Sequence, residues 1–305
     1  MKRTIALLLI LFFALSAPEA PAQEEEVFRP EVAEGIRLYR EKKVKEAIAA
    51  IQRAIAADPQ DAVACNALGV IYSQEGDNEK AMEQFDRAIS LRQPYFKAIY
   101  NKFNLLLTNG RAKEAEALLE GVVQQYPDHA DGFINLGVLA GRQGEIDKAI
   151  GYFDKAIALN GDDFDAHFKK GQLMVVQKRY DEALACFNRV TEIEPRYTPA
   201  GQAARLVEEI LQKKREGYIR VRQIMVTDPE VAQRIKAELN KGADFATVAA
   251  RYSADASSQY GGDLGFIKRG DLIPEIESVI FALGVGQVSE VVRSARGFHI
   301  FKREE

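Results

Sequence analysis

The chain has 305 residues, 47% of them hydrophobic and 28% charged, with a formal net charge of −4. That length is typical of two domains, and the composition is that of a globular chain rather than a disordered one. A slightly negative balance lacks the basic face of a nucleic-acid binder, so no nucleic-acid partner is expected.

Met1-Lys2-Arg3 precedes an apolar run from Ile5 to Leu15 and the small-residue site Ala20-Pro21-Ala22. A positive start, a short apolar core and an A-x-A site describe a secretory signal peptide over 1–22, cleaved before Gln23. The run is too short to span a bilayer comfortably. No membrane span is expected once it is removed; a retained anchor is the alternative. The cysteines are Cys65 and Cys186. Export permits a disulfide, but their placement in different repeats points to two packed thiols.

Next comes a 34-residue beat. From Gly35, steps of 34 reach Gly69, Phe103, Gly137 and Gly171. Twelve residues after each stands an alanine, from Ala47 to Ala183, and four further on a large apolar residue: Ile51, Phe85, Leu119, Phe153 or Phe187. Each unit reads as two helices around a turn such as Gly76-Asp77, Asn109-Gly110 or Gln143-Gly144. The small residues let the helices approach, and the large one fills the gap toward the next unit. A single unit cannot bury its apolar face, so the units stack into a superhelix. Thr198-Pro199 then opens an amphipathic helix stopped by Gly217, suited to capping the array.

This pattern resembles the tetratricopeptide repeat. The resemblance implies five repeats plus a capping helix over 28–214, with the first helix of each unit lining a concave groove. Carried over position by position, Tyr39, Tyr100, Asn104, Ile134 and Phe168 face that groove, and an extended, partly apolar polypeptide would fit it.

After Gly217 the texture changes. Residues 218–226 alternate and are rich in β-branched side chains, which predicts a strand. Asp228-Pro229 opens a helix that Gly242 stops, and residues 244–253 predict a shorter one. A loop through Gly261-Gly262-Asp263-Leu264-Gly265 leads into a strand, Pro274 starts a helix, and 289–294 and 297–304 predict two strands around Ala295-Arg296-Gly297. The glycine loop precedes a strand and no Lys-Ser/Thr pair follows it, so it is not a phosphate-binding loop.

The ordered pieces "YS-D-S…GGDLGFI-RG", a Pro-initiated helix with "FAL", and "GFHI-K" resemble the parvulin-type peptidyl-prolyl isomerase over 218–305. The whole then reads as a helical superhelix followed by a small α+β domain. The resemblance implies a Pro-ring pocket at Leu264, Leu272 and Ile276 and a polar centre at Gln223, Asp255, Ser294 and His299. Two positions depart from it: parvulins usually carry histidine where Gln223 stands and phenylalanine where Ile276 stands. Turning an X–Pro bond means overcoming a barrier of about 18–20 kcal/mol that comes from amide resonance. No bond breaks, so no cofactor or metal is required. Only contacts stronger in the twisted amide raise the rate. Each of these residues also has a bland reading: Asp255 as a turn-maker or cap, His299 as a structural strand residue, the apolar three as core. Gln223 is expected to donate to or accept from His299.

Taken together, these features describe an exported periplasmic or cell-envelope isomerase whose repeats gather unfolded or extended polypeptide clients. The alternative is a non-catalytic chaperone or scaffold on a degenerate isomerase fold.

Overall fold

The computed structural model describes residues 29–305; the signal segment expected over 1–22 and Phe28 lie outside the described residues. The repeats fold as α1 (Pro30–Arg40), α2 (Val44–Ala57), α3 (Ala62–Gln74), α4 (Asn78–Leu91), α5 (Phe96–Thr108), α6 (Ala112–Gln125), α7 (Ala130–Gln143), α8 (Ile146–Leu159), α9 (Phe164–Val176) and α10 (Tyr180–Ile193), followed by α11 (Thr198–Arg215).

The beat has a visible cause. A Cβ placed on Gly69 would lie 2.7 Å from the Phe85 ring, and one on Gly35 2.4 Å from Ile51. The large residue is therefore seated on the glycine of its own unit. Phe85 also reaches forward to the next unit, where it packs with Leu105. In the third unit the roles are shared differently: Phe103 occupies the glycine position, and Phe103 and Leu119 are both buried in one cluster. The turns keep the period too. Lys42, Gly76, Gly110, Gly144 and Lys178, spaced by 34, all adopt positive φ between 60° and 81°. Cys65 and Cys186 are buried and not disulfide-bonded.

The C-terminal module contains β1 (Ile219–Val226), α12 (Pro229–Asn240), α13 (Phe245–Tyr252), a 3₁₀ turn (Ala256–Tyr260), β2 (Asp263–Ile267), α14 (Pro274–Ala282), β3 (Val292–Ser294) and β4 (Gly297–Arg303). The strands form one sheet in the order β2-β1-β4-β3, every pair antiparallel. Asp228 caps α12 through the amides of Glu230 and Val231, and Asp244 caps α13 through that of Thr247. Alternation gives the sheet two faces. Ile224, Val226, Phe298 and Ile300 pack under α12 and α13, whereas Val221 and Phe301 pack with Ile276 and Ile280 of α14. The strand expected over 289–294 is shorter, Val292–Ser294. Its first half leaves the ladder because the Ser289 hydroxyl accepts the Phe301 amide at 2.9 Å.

By its internal contacts the described chain divides into two compact units at Leu173/Met174. The second unit holds α10, α11 and the whole sheet module, with Gly217 inside it. Side chains account for this. Tyr180 of α10 donates its hydroxyl to Glu305 at 2.7 Å, in a buried position. Lys178 donates to the Glu304 carbonyl at 2.7 Å, and the Lys213 ammonium lies 5.6 Å from the centre of the Phe266 ring. Burial, reinforced by the Glu305 bond, pushes the Tyr180 phenol well above its ordinary range.

Candidate active site

The site is built on the α14 face of the sheet. On β4, His299 and Phe301 are two residues apart and share this face; their rings are parallel to within 2° with centroids 5.8 Å apart. On β1, Gln223 stands opposite Phe301 and Met225 opposite His299. Around Phe301 gather Ile276, Leu264 and Leu272 with Ile219, Val221 and Ile280. The three residues expected to hold a Pro ring thus come together, packed on the fully buried Phe301.

The glycine loop owes its composition to close approach. The Gln223 amide donates to the Gly262 carbonyl at 2.8 Å, and a Cβ on Gly262 would lie 2.3 Å from the Gln223 carbonyl oxygen. Gly262 also sits at φ +81°. Only glycine combines that conformation with that contact at no steric cost. The loop is thereby sealed against the strand carrying Gln223 and Met225. One turn earlier, Ser253 accepts the Met225 amide at 3.0 Å and Ala254 donates to the Met225 carbonyl at 2.8 Å. These two bonds bring Asp255 beside the sheet.

Within the polar centre, Ser294 Oγ and His299 Nε2 are 2.6 Å apart. The Arg296 amide donates to the same Ser294 hydroxyl at 3.0 Å, which fixes the β3–β4 turn. His299 is buried, and its Nδ1 has no hydrogen-bond partner. The expected Gln223–His299 bond is therefore not made. The register explains this, because Gln223 faces Phe301 and lies only diagonally from His299. Asp255 caps the 3₁₀ turn: its Oδ1 accepts the Ser257 amide at 2.9 Å and the Ser257 hydroxyl at 2.6 Å. It acts on His299 as a nearby charge, not as a bonded partner. Burial pulls the His299 pKa below its usual range, the Arg296 charge adds to this, and Asp255 opposes it. Burial works against the Asp255 carboxylate, but the Ser257 bonds and the Arg296 charge hold its pKa below the ordinary value. At neutral pH the centre is thus an uncharged imidazole beside an ionised carboxylate, over an apolar floor. Such a surface can hold a Pro ring and offer a neutral polar atom to a twisting amide.

Of the residues expected to face the groove, Tyr39 lines a cavity of about 830 Å³ on the first three repeats. Tyr100 is committed to an internal contact, its hydroxyl 2.6 Å from His129 Nε2. Ile134 is buried and offers little surface; Asn104 and Phe168 are half-buried. Sequence reasoning missed Asn66, Lys97 and Asn101, which line the same cavity. Among the described residues, no group of His, Cys, Asp and Glu is placed to hold a metal ion, and no helix is long and apolar enough to cross a membrane.

Comparison with known proteins agrees with both halves. Residues 228–305 match the model of the PPIC-type PPIase domain. That match begins after β1, so it does not include Gln223. Tetratricopeptide-repeat models match 38–103, 100–163 and 134–197. The foldase protein PrsA of Geobacillus sp. (strain WCH70) is 45% identical over 85 residues, 28% of this chain and 31% of its own. That of Bacillus subtilis (strain 168) is 38% identical over 91 residues, 30% and 31% of the two chains. The chain thus spans about a third of the length of these curated relatives. Among solved structures, MamA from Desulfovibrio magneticus RS-1 is similar at 24% identity and a TM-score of 0.44, over 56% of this chain and 99% of that one. Pseudomonas aeruginosa pilF is similar at 18% identity and a TM-score of 0.49, over 70% and 91%. Residues 38–197 thus match tetratricopeptide repeats, and residues 228–305 match a PPIC-type PPIase domain.

Proposed function

We propose that this protein is an exported peptidyl-prolyl cis/trans isomerase and folding factor of the cell envelope, which captures unfolded client chains through its repeats over 28–214 and turns their X–Pro bonds in the domain 218–305. The observation that carries the reading is the Ser294–His299 pair, 2.6 Å apart, set beside the apolar cluster of Leu264, Leu272, Ile276 and Phe301. The pair fixes the imidazole, and the cluster supplies the pocket for a Pro ring. The foldase relatives support the same reading. The unmet Nδ1 of His299 favours a second reading, a holdase on an isomerase fold that has lost its activity.

A protease-coupled assay on X–Pro peptides separates the two. Wild type is expected to be weakly active, and Asp255→Ala to be slower because it removes both the cap of the 3₁₀ turn and the charge beside His299. Gln223→His with Ile276→Phe is expected to raise the rate about tenfold, the effect of about 1.4 kcal/mol gained in the twisted state alone. If wild type shows no rate above the uncatalysed one and the double substitution creates it, the holdase reading stands instead.

A further inference from the structure

The cavity on the first three repeats has a chemistry of its own. Cations dominate it: Arg40, Lys42 and Lys97 line it, against one carboxylate, Glu75. That carboxylate is already engaged, since the Tyr39 hydroxyl donates to it at 2.9 Å. Arg40 and Lys42 have no ion-pair partner among the described residues. This local excess stands out in a chain whose net charge is −4.

In the lining of the cavity, Asn101 Nδ2 donates to Asn66 Oδ1 at 2.9 Å, and Asn66 is 5% exposed. The bond uses one donor and one acceptor of the pair. The remaining amide N–H groups and carbonyl lone pairs can serve a main chain laid across them. The flanking Ile36 and Val70 are apolar. Along the repeats the charge then changes sign. The positions 34 and 68 residues after Lys97 are Asp131 and Asp165, the latter paired with Lys169 at 2.7 Å. The cations of the cavity stand on α1, the turn after it and α5, and the counterparts of Lys97 in the next two repeats are acidic.

Resting on the reading that the array captures clients, we infer that this cavity takes an extended segment bearing several acidic side chains among apolar ones. Arg40 and Lys42 would meet the acids, the Asn pair the main chain, and Ile36 and Val70 the apolar side chains between. Attraction in so open a groove is screened within about 10 Å at moderate salt. Raising the salt should therefore weaken it.

The test uses the full chain and three fluorescent peptides with the same apolar residues, bearing Glu, Ser or Lys at the other positions. Anisotropy should show the Glu peptide binding about tenfold more tightly than the Ser peptide and the Lys peptide most weakly, about 1.4 kcal/mol of preference. Arg40→Glu with Lys97→Glu should erase that order while far-UV circular dichroism stays unchanged. If that pair unfolds the chain, Lys42→Gln and a salt series on wild type should each narrow the Glu–Ser difference. Equal affinity for the three peptides, or a preference that survives charge reversal, overturns the inference. A denatured neutral client is measured in parallel. If it binds and the Glu peptide does not, only this inference falls; if neither binds, capture by the array falls with it.

Discussion

His299 shows how far one side chain can be read. Its place on a strand with Phe298 and Ile300 on the other face was legible from alternation, and so was Ser294 across a tight turn. Its protonation was not legible, because that depends on burial and on Arg296. The sign follows from the direction of the shift. A depressed pKa means that the unfolded chain takes up the proton first, near the ordinary histidine value of about 6.5. His299 thus supports the fold above that value, and the support is lost as pH falls from there through the lowered folded value. Denaturant unfolding at stepped pH should show wild type losing stability below pH of about 6.5, with a shallower slope in His299→Gln. Isomerase rate should stay level over the upper part of that interval, where the folded imidazole is still neutral, and change only as pH reaches the lowered folded value. An identical slope in the two proteins would show that His299 is not the group responsible. Asp255 and Gln223 were less legible. A cap and a site carboxylate occupy the same kind of loop, and only the β1–β4 register reveals that Gln223 faces Phe301.

At the scale of the helix, glycines of two kinds were indistinguishable as letters. Gly69 is small because Phe85 lies on it, whereas Gly110 has nothing within 4 Å of an added Cβ but sits at φ +71°. Gly69→Ala should cost about 1–3 kcal/mol through overpacking, and trimming Phe85 to Leu in the same chain should restore part of it. Gly110→Ala should cost about 1–2 kcal/mol through backbone strain, with no rescue from Phe85→Leu. Thermal melts of the two double mutants measure this; equal rescue of both would mean that the assignment of the two causes is wrong. The 34-residue period made the pairing of helices legible. The groove was only half legible, because carrying over one row of each first helix found Tyr39 but passed over the neighbouring row that holds Lys97 and Asn101.

At the scale of the molecule, the order of elements was legible and the long-range ties were not. Gly217 marks a change from helix to strand, yet the compact units divide at Leu173/Met174. Ties such as Tyr180 to Glu305 join positions 125 residues apart, which no local pattern announces. The two cysteines, one in each unit, turn this division into something measurable. Both thiols are buried, Cys65 fully and Cys186 at 8% exposure. Burial also raises the Cys65 pKa, so its reactive thiolate is scarce in the folded chain. A thiol reagent can therefore modify each one chiefly when its surroundings open, and the two labelling rates report two separate opening equilibria. Cys65→Ser and Cys186→Ser assign the rates. Tyr180→Phe removes one buried bond of about 1 kcal/mol, so it should speed modification of Cys186 about fivefold and leave Cys65 unchanged. A parallel rise at both sites would mean that the chain opens as one cooperative body. An unequal rise would mean that the C-terminal unit can open while the N-terminal repeats remain closed.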